Sequence, residues 1–295
     1  MRLERPRIGR WKKIATPYLL IAPAILFVVG ILGYAVTSGV IMSFFRWDLN
    51  VPGNSFIGLK NYMFLFRNAE FLNSLGRSLI FVFGSVGLGL VIAMSFALSL
   101  YRCRAFGNFF KGLSLVPYLV SGIATAIMFR FLFSTDVGLI NIILRGIGLD
   151  PISFLANGNW ALFITILANV WFVCPFAILI LLAGLQGIDP EMLEAAEVDG
   201  SNKIVTFFRI ILPTISPMMG ISLIWLSFAS FNMFDVILPL TNGGPGRSTE
   251  VLAVYMYNVA FNELRYSLGS AVMVIILIFN VLVSFMYLKL FRISR

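Results

Sequence analysis

The stretch Asp189-Pro190-Glu191-Met192-Leu193-Glu194-Ala195-Ala196-Glu197-Val198-Asp199-Gly200-Ser201, running on to Leu212-Pro213, is the most charged interval between two long apolar runs. Asp189 is placed to cap a helix, and Pro190 suits the first helical position, where a backbone N–H would be unpaired anyway. Glu191 and Glu194 fall in the early turns, where the helix dipole favours negative charge. Gly200 suits the left-handed position that closes a short helix. Ser201 then caps a second helix, with Ile204, Val205, Phe208, Ile211 and Leu212 apolar at helical spacing. Pro213 and Pro217 interrupt the path into the next apolar run. The expected unit is a short helix, a turn at Gly200 and a second helix that returns to apolar surroundings. Ala195, Ala196 and Gly200 are small enough for a partner's backbone to come close, and Glu194, Glu197 and Asp199 offer acids to its basic groups. The alternative is an ordinary hairpin with a solvated acidic face.

The surroundings of this hairpin are membrane-like. Of 295 residues, 59% are hydrophobic and only 12% charged, against about 25% charged in a soluble domain. The apolar residues come in long runs, the pattern of a polytopic membrane protein. A net charge of +9 would suggest nucleic acid in a soluble protein. Here the basic residues cluster beside the apolar runs, as the positive-inside rule describes, and no nucleic-acid partner is expected. Cys103 lies in a basic loop and Cys174 in an apolar run, with no CxxC pairing, which argues against a disulfide, metal or redox site. Histidine is absent, which removes the commonest general base and metal ligand.

Residues 1–13 form a basic arm with Arg2, Arg5, Arg7, Arg10, Lys12 and Lys13 against Glu4. Residues 14–295 read as a single transmembrane domain. Its first run, Ile14 to Phe45, carries no charge and would span roughly 48 Å as a helix, too long for a signal-peptide core. Further spans are expected at about Ser78–Leu100, Leu113–Phe133, Trp160–Leu182, Ile215–Phe234 and Leu268–Leu288. Arg102, Arg104 and Lys111 after the second span, and Lys289, Arg292 and Arg295 after the last, join the arm on one side. The expected fold is therefore an all-α polytopic membrane protein of six transmembrane helices with both termini cytoplasmic. The 189–213 hairpin falls on the cytoplasmic side, and its acidity there runs against the general bias, which points to a protein partner.

A bare Glu-Ala-Ala carries no information, but the constellation does. Glu194-Ala195-Ala196, Asp199-Gly200, Ile210 and Leu212-Pro213, in a loop between two spans, resemble the EAA loop of permease subunits in ATP-binding-cassette importers. In that family this loop is the coupling helix and docks into a cleft of a separate ATPase. Gly58-Leu59-Lys60-Asn61-Tyr62 resembles the segment after the first long helix of carbohydrate-type permeases. The resemblance covers the chain from about Pro17 to the end of the sixth span and is to the sugar-type kind, like maltose or glycerol-phosphate permeases. It implies a bacterial or archaeal plasma-membrane protein working with a second homologous permease, two ATPase subunits and an extracytoplasmic solute-binding protein. Glu194, Ala195, Ala196, Asp199 and Gly200 are then the ATPase-coupling residues. ATP and magnesium would be held by the partner ATPases, and the chain itself would hold no cofactor and no metal and would not be an enzyme.

The residues are compatible with that implication. Gly243-Gly244-Pro245-Gly246-Arg247-Ser248-Thr249 lacks the spacing and lysine of a phosphate-binding loop and reads as a turn. The spans are almost free of ionisable groups, which weakens a standalone proton- or sodium-coupled carrier without eliminating it, since backbone carbonyls can bind sodium. A pore is the other competitor, though one copy offers no obvious filter. At the end of the fifth span, Asn232 and Asp235 are three apart and share an expected helix face, with Phe231 one turn from Asp235. Aromatic planes beside a few polar groups suit a sugar, whose C–H faces stack and whose hydroxyls need partners. Plain helix packing with an interfacial Asp is the alternative. This segment resembles the sugar-lining part of maltose-type permeases, which makes Asn232, Phe231 and Asp235 the candidate substrate path. An oligosaccharide is the first expected solute and glycerol phosphate or a related polyol phosphate the second.

Overall fold

The computed structural model describes residues 10–48, 53–103 and 107–291. Most of the basic arm, and Arg104, Arg292 and Arg295, lie outside the described residues. The described chain is almost entirely helical. It opens with α1 (Arg10–Val28) and α2 (Tyr34–Ser43), joined through a π-helical turn at Val29–Gly33 into one rod. A two-residue antiparallel ribbon, β1 (Phe45–Arg46) with β2 (Ser55–Phe56), leads into α3 (Lys60–Arg67). Next come α4 (Ala69–Arg102), α5 (Gly107–Ser114), α6 (Val116–Leu119), α7 (Gly122–Leu132), α8 (Leu139–Gly146) and α9 (Gly158–Gln186). The hairpin is α10 (Pro190–Val198) and α11 (Lys203–Thr206), continued by a π-helical turn at Phe207–Ile211 and α12 (Leu212–Thr214). The chain finishes with α13 (Ser216–Phe231), α14 (Ile237–Thr241), α15 (Leu252–Tyr257) and α16 (Tyr266–Leu290).

Four described helices are long and apolar enough to cross a membrane: Tyr18–Ser43, α4, α9 and α16. A fifth results if Lys203–Thr214 and α13, bent by 73° against each other, count as one. The expected single helix Leu113–Phe133 is instead broken into α5, α6 and α7. Pro117 sits in the first turn of α6, and Val120 and Ser121 are extended before the helix restarts at Gly122. Proline lacks the N–H that would continue the ladder. α4 begins at Ala69 rather than near Ser78, because the Asn68 carboxamide accepts hydrogen bonds from the Glu70 and Phe71 amides, a cap that satisfies two otherwise unpaired donors.

The centre is a three-helix core of α4, α9 and α13. A Cβ at Gly84 would touch Ile166, and one at Gly89 would touch Leu226 and Val170, so α4 and α9 run parallel with α13 antiparallel to both. The Trp225 indole donates to the Val173 carbonyl across this seam. Close approach at such glycines is how helices gain contact in a lipid-like solvent, where apolar burial alone drives little association. α16 lies antiparallel to α13, with Phe231 stacked on Phe279, and α2 packs on its other side, with Met273 over Gly39. The ends of α4, α9 and α16 and the start of the first rod therefore gather at one end of the bundle. From Tyr18 to Leu32 the first rod exposes Leu19, Leu20, Leu26 and Phe27, a surface that only lipid or another protein can cover.

The opposite end is fastened by a polar cluster. Glu250, buried to 4% exposure, accepts from the Ser74 hydroxyl and the Asn258 amide and lies 3.6 Å from Arg247. The Leu252 amide donates to the Ser78 hydroxyl at 2.6 Å. The Thr249 hydroxyl bonds the Gly244 carbonyl and the Thr241 hydroxyl. The connection between α13 and α16 is thus tied down onto the first turns of α4.

Candidate coupling hairpin and solute path

Gly187 ends α9, and Ile188 is buried directly below the hairpin. The Asp189 carboxylate accepts from the Glu191 amide at 3.0 Å, and Pro190 follows as the first residue of α10. At the far end Gly200 has φ +73°. The Gly200 amide donates to the Glu197 carbonyl and the Ser201 amide to the Ala196 carbonyl. This pair of bonds is the Schellman closure, which needs a left-handed residue at the position Gly200 occupies. Ser201 is consumed by that closure and does not cap α11. The Asn202 carboxamide does so instead, accepting from the Val205 amide at 2.8 Å. Ser201 bonds the Thr206 hydroxyl.

The structure divides the expected contact residues. Glu194, Ala195, Asp199 and Gly200 are exposed, while Ala196 is buried. The small side chain of Ala196 therefore packs the hairpin onto its own body, and only Ala195 of the pair is open to a partner. Sequence reasoning named Ile204 and Phe208 as part of an apolar stripe but did not single out Val198 or Met192, and all four lie on the open side. Val198 is 88% exposed, and Met192, Ile204 and Phe208 are exposed as well. Val198 is one turn from Glu194 and Ala195, so the outward surface of α10 carries acids around an apolar knob. The signal was available in the sequence as a valine standing between Glu197 and Asp199.

At the other end of α13 the expected shared face of Asn232 and Asp235 does not form. The helix stops at Phe231: the Asn232 backbone N–H and its side-chain amide both donate to the Phe228 carbonyl, the latter at 2.7 Å, and the backbone then leaves the helix. Phe231 is buried against Phe279, a packing position. Asn232 is exposed and Asp235 half-buried. The Asp235 carboxylate lies over the first residue of α7, where a Cβ on Gly122 would overlap its oxygen. We expect Gly122→Ala to lower the thermal midpoint of the purified chain, by an overpacking cost of about 1–3 kcal/mol. Adding Asp235→Ala should restore most of it. Equal losses with and without the second change would show that the two residues do not press on each other.

Two further polar features stand out, of which Arg130 was expected from the sequence, at a span end, as the one basic group that could meet an anionic solute. Asn169, fully buried in α9, donates to the Ser230 hydroxyl at 2.8 Å, a lone amide in an otherwise apolar run and hence visible in the sequence. Arg130, at the end of α7, reaches the Pro239 carbonyl at 3.4 Å and lines a 290 Å³ cavity with Leu155, Thr241, Asn242 and Pro245.

Residues 85–292 match the family model described as "Binding-protein-dependent transport system inner membrane component". The chain belongs to this family. The match takes in the hairpin and the whole three-helix core except the start of α4. Among curated proteins, the trehalose/maltose transport system permease protein MalF of Thermococcus litoralis is 31% identical over 97% of this chain and 97% of its own length. The arabinooligosaccharides transport system permease protein AraP of Bacillus subtilis is 34% identical over 95% and 90%. The sn-glycerol-3-phosphate transport system permease protein UgpA of Agrobacterium fabrum is 30% identical over 89% of each. In fold, the chain is similar to a chain of a bacterial ABC transporter involved in import of the acidic polysaccharide alginate. The TM-score is 0.80 at 24% identity, over 97% of this chain and 99% of that one. This family member is thus an inner-membrane permease component, and its relatives are transport proteins rather than enzymes.

Proposed function

We propose that the chain is one permease subunit of an ATP-driven, binding-protein-dependent importer for an oligosaccharide. The observation that carries this is the closed, acidic hairpin of α10 and α11 projecting from a membrane body whose relatives carry maltose and arabinooligosaccharides. It works with a second homologous permease, two ATPase subunits that hold ATP and magnesium, and an extracytoplasmic solute-binding protein. Glu194, Ala195, Val198, Asp199 and Gly200 face the ATPase, and Ala196 seats the hairpin from behind. In this arrangement six segments cross the membrane, counting α5–α7 as one broken crossing and α11–α13 as one bent one. The hairpin and both termini are cytoplasmic. The test is co-expression with a candidate ATPase and second permease. Co-purification, and ATP hydrolysis stimulated by solute-loaded binding protein, are expected. A chain that transports sugar alone in proteoliposomes without ATP would instead be a standalone carrier. Cysteine at Asn54 or Asn159, both exposed, should react with an impermeant reagent on intact cells, and cysteine at Asn202 should not. Labelling at 202 would reverse the orientation.

The solute path runs past Asn232, whose amide is exposed, and past Asp235, with Phe231 as packing support beneath. Asn232→Ala is expected to lower oligosaccharide uptake about five- to a hundredfold, the worth of one buried hydroxyl contact, with complex yield unchanged. A fall in uptake that only tracks lost complex would make Asn232 a packing residue. A second solute class is favoured by Arg130. Its guanidinium lines a polar cavity and suits a phosphate or carboxylate on the solute. Arg130→Gln should then depress uptake of glycerol phosphate while sparing neutral sugars.

A further inference from the structure

A cavity of about 730 Å³ lies between α4, α5–α6 and α9. Ile92 and Leu100 of α4, Phe110 and Leu113 of α5, and Trp171 and Ile178 of α9 line it. From Ile92 to Cys103 the cavity follows α4 for about 16 Å, close to half of the roughly 30 Å hydrocarbon thickness of a bilayer. It starts near the middle of the bundle and ends where α4 stops, at the end that also carries the hairpin. The volume falls in the range of ligand sites, but the lining excludes the transported solute. Its only hydroxyls, Ser99 and Ser114, are already bonded to carbonyls of their own chain at Ser95 and Lys111. A sugar, with a hydroxyl on nearly every carbon, would find few partners here.

Two cations flank lining residues where this cavity ends. Arg102 adjoins Cys103 and Lys111 adjoins Phe110, and both Cys103 and Phe110 are lining residues. Between Tyr101 and Gly112 the sequence has no acid and a third cation, Arg104. Neither Arg102 nor Lys111 makes an ion pair among the described residues. A slot one leaflet long with cations at its rim matches one amphiphile, with an apolar chain inside and a phosphate outside. We propose that this cavity binds an acyl chain of an anionic phospholipid, whose headgroup phosphate rests on Arg102 and Lys111. Such a lipid fills the gap that α5 leaves against α9, beside α6, whose Tyr118 packs on Phe172 and Phe176 of α9. It holds α5 at the membrane surface, where Phe109, Phe110 and Leu113 are exposed. The site is separate from the solute path and does not depend on which solute is carried.

Trp171 supplies the probe. The full chain is purified, delipidated and titrated with phosphatidylglycerol or phosphatidylcholine carrying the same brominated acyl chains, which quench nearby indoles. The Trp171 signal is the difference from Trp171→Phe. Half-maximal quenching of Trp171 should need about thirtyfold less phosphatidylglycerol than phosphatidylcholine, the worth of two surface cations. In Arg102→Gln/Lys111→Gln the two lipids should become equivalent. Ser99→Phe, which places a ring in the slot from an exposed position, should remove Trp171 quenching while leaving that of the other tryptophans. Equal quenching by the two lipids in the unaltered chain overturns the anionic assignment. Unchanged Trp171 quenching in Ser99→Phe overturns the cavity. So does a Trp171 shielded from lipid in the assembled transporter, which would give the slot to a protein partner.

Discussion

Gly200→Val is expected to lower ATP-coupled uptake at least tenfold while leaving the membrane body folded. At φ +73° a valine pays the steric cost of the left-handed region, on the order of 1–2 kcal/mol, and a β-branched residue tolerates it least. Nothing lies within 4 Å of a Cβ built there, so no clash inside the chain adds to this. The damage is confined to the closure of α10, where the Ser201–Ala196 and Gly200–Glu197 bonds would open and swing Glu194 and Val198 away from their shared surface. Gly200→Asn separates two roles, because asparagine tolerates the left-handed conformation. We expect the asparagine variant to keep most coupled hydrolysis and the valine variant to lose at least tenfold, about 1.4 kcal/mol. An asparagine variant as dead as the valine one would mean that the ATPase backbone sits against this position. A fully active valine variant would falsify the coupling assignment.

Glu250→Ala is expected to be the most destabilising single change at the opposite end. Its carboxylate is the common acceptor for Ser74, Asn258 and Arg247. Truncation strands the buried Ser74 hydroxyl and the half-buried Asn258 amide and removes the tie between α4 and the connection to α16. A loss of about 2–4 kcal/mol follows from unpaired buried groups of this kind. The exposed Arg247–Glu70 pair at 2.7 Å should contribute little by comparison, since exposed pairs are screened. Glu250→Gln keeps an acceptor for Asn258 and turns an N–H toward Ser74, whose hydroxyl can reverse to accept it, and should lose well under half as much. Thermal unfolding of the purified chain in detergent distinguishes them. Equal losses for Gln and Ala would mean that the charge, not the hydrogen bonding, holds the cluster.

The parts of this molecule that were legible in the sequence are those set by near neighbours along the chain. Asp189, Pro190 and Gly200 each act within four residues of themselves, and the structure has the cap, the first turn and the left-handed closure they announce. The slip from Ser201 to Asn202 is also local. It arose because the Schellman closure extends one residue past the glycine. The long apolar runs announced most of the helices, but hydropathy says nothing of where a helix breaks. Pro117 marked a break that the apolar count of Leu113–Phe133 concealed, and α13 ends at Phe231, earlier than periodicity suggested. What no local rule supplies is which face turns inward. That Phe231 meets Phe279, that Ala196 faces back while Ala195 faces out, and that Asp235 lies over Gly122 are decided by residues distant along the chain.

The 73° bend at Ile215 gives the proposed coupling a mechanical form. Ile215 is buried to 1% exposure and is seated, with Met218, against Gly184 of α9, which makes it a fulcrum. On one side, Lys203–Thr214 is an arm of roughly 18 Å, and on the other α13 is an arm of roughly 24 Å, by the helical rise. The pair forms a bell crank. A push along the membrane normal at the hairpin end of the first arm emerges at the Asn232 end as a movement close to the membrane plane, enlarged about 1.3-fold by the ratio of the arms. A stroke of a few ångströms at an ATPase surface is then enough to move Asn232 by about the width of a hydroxyl contact.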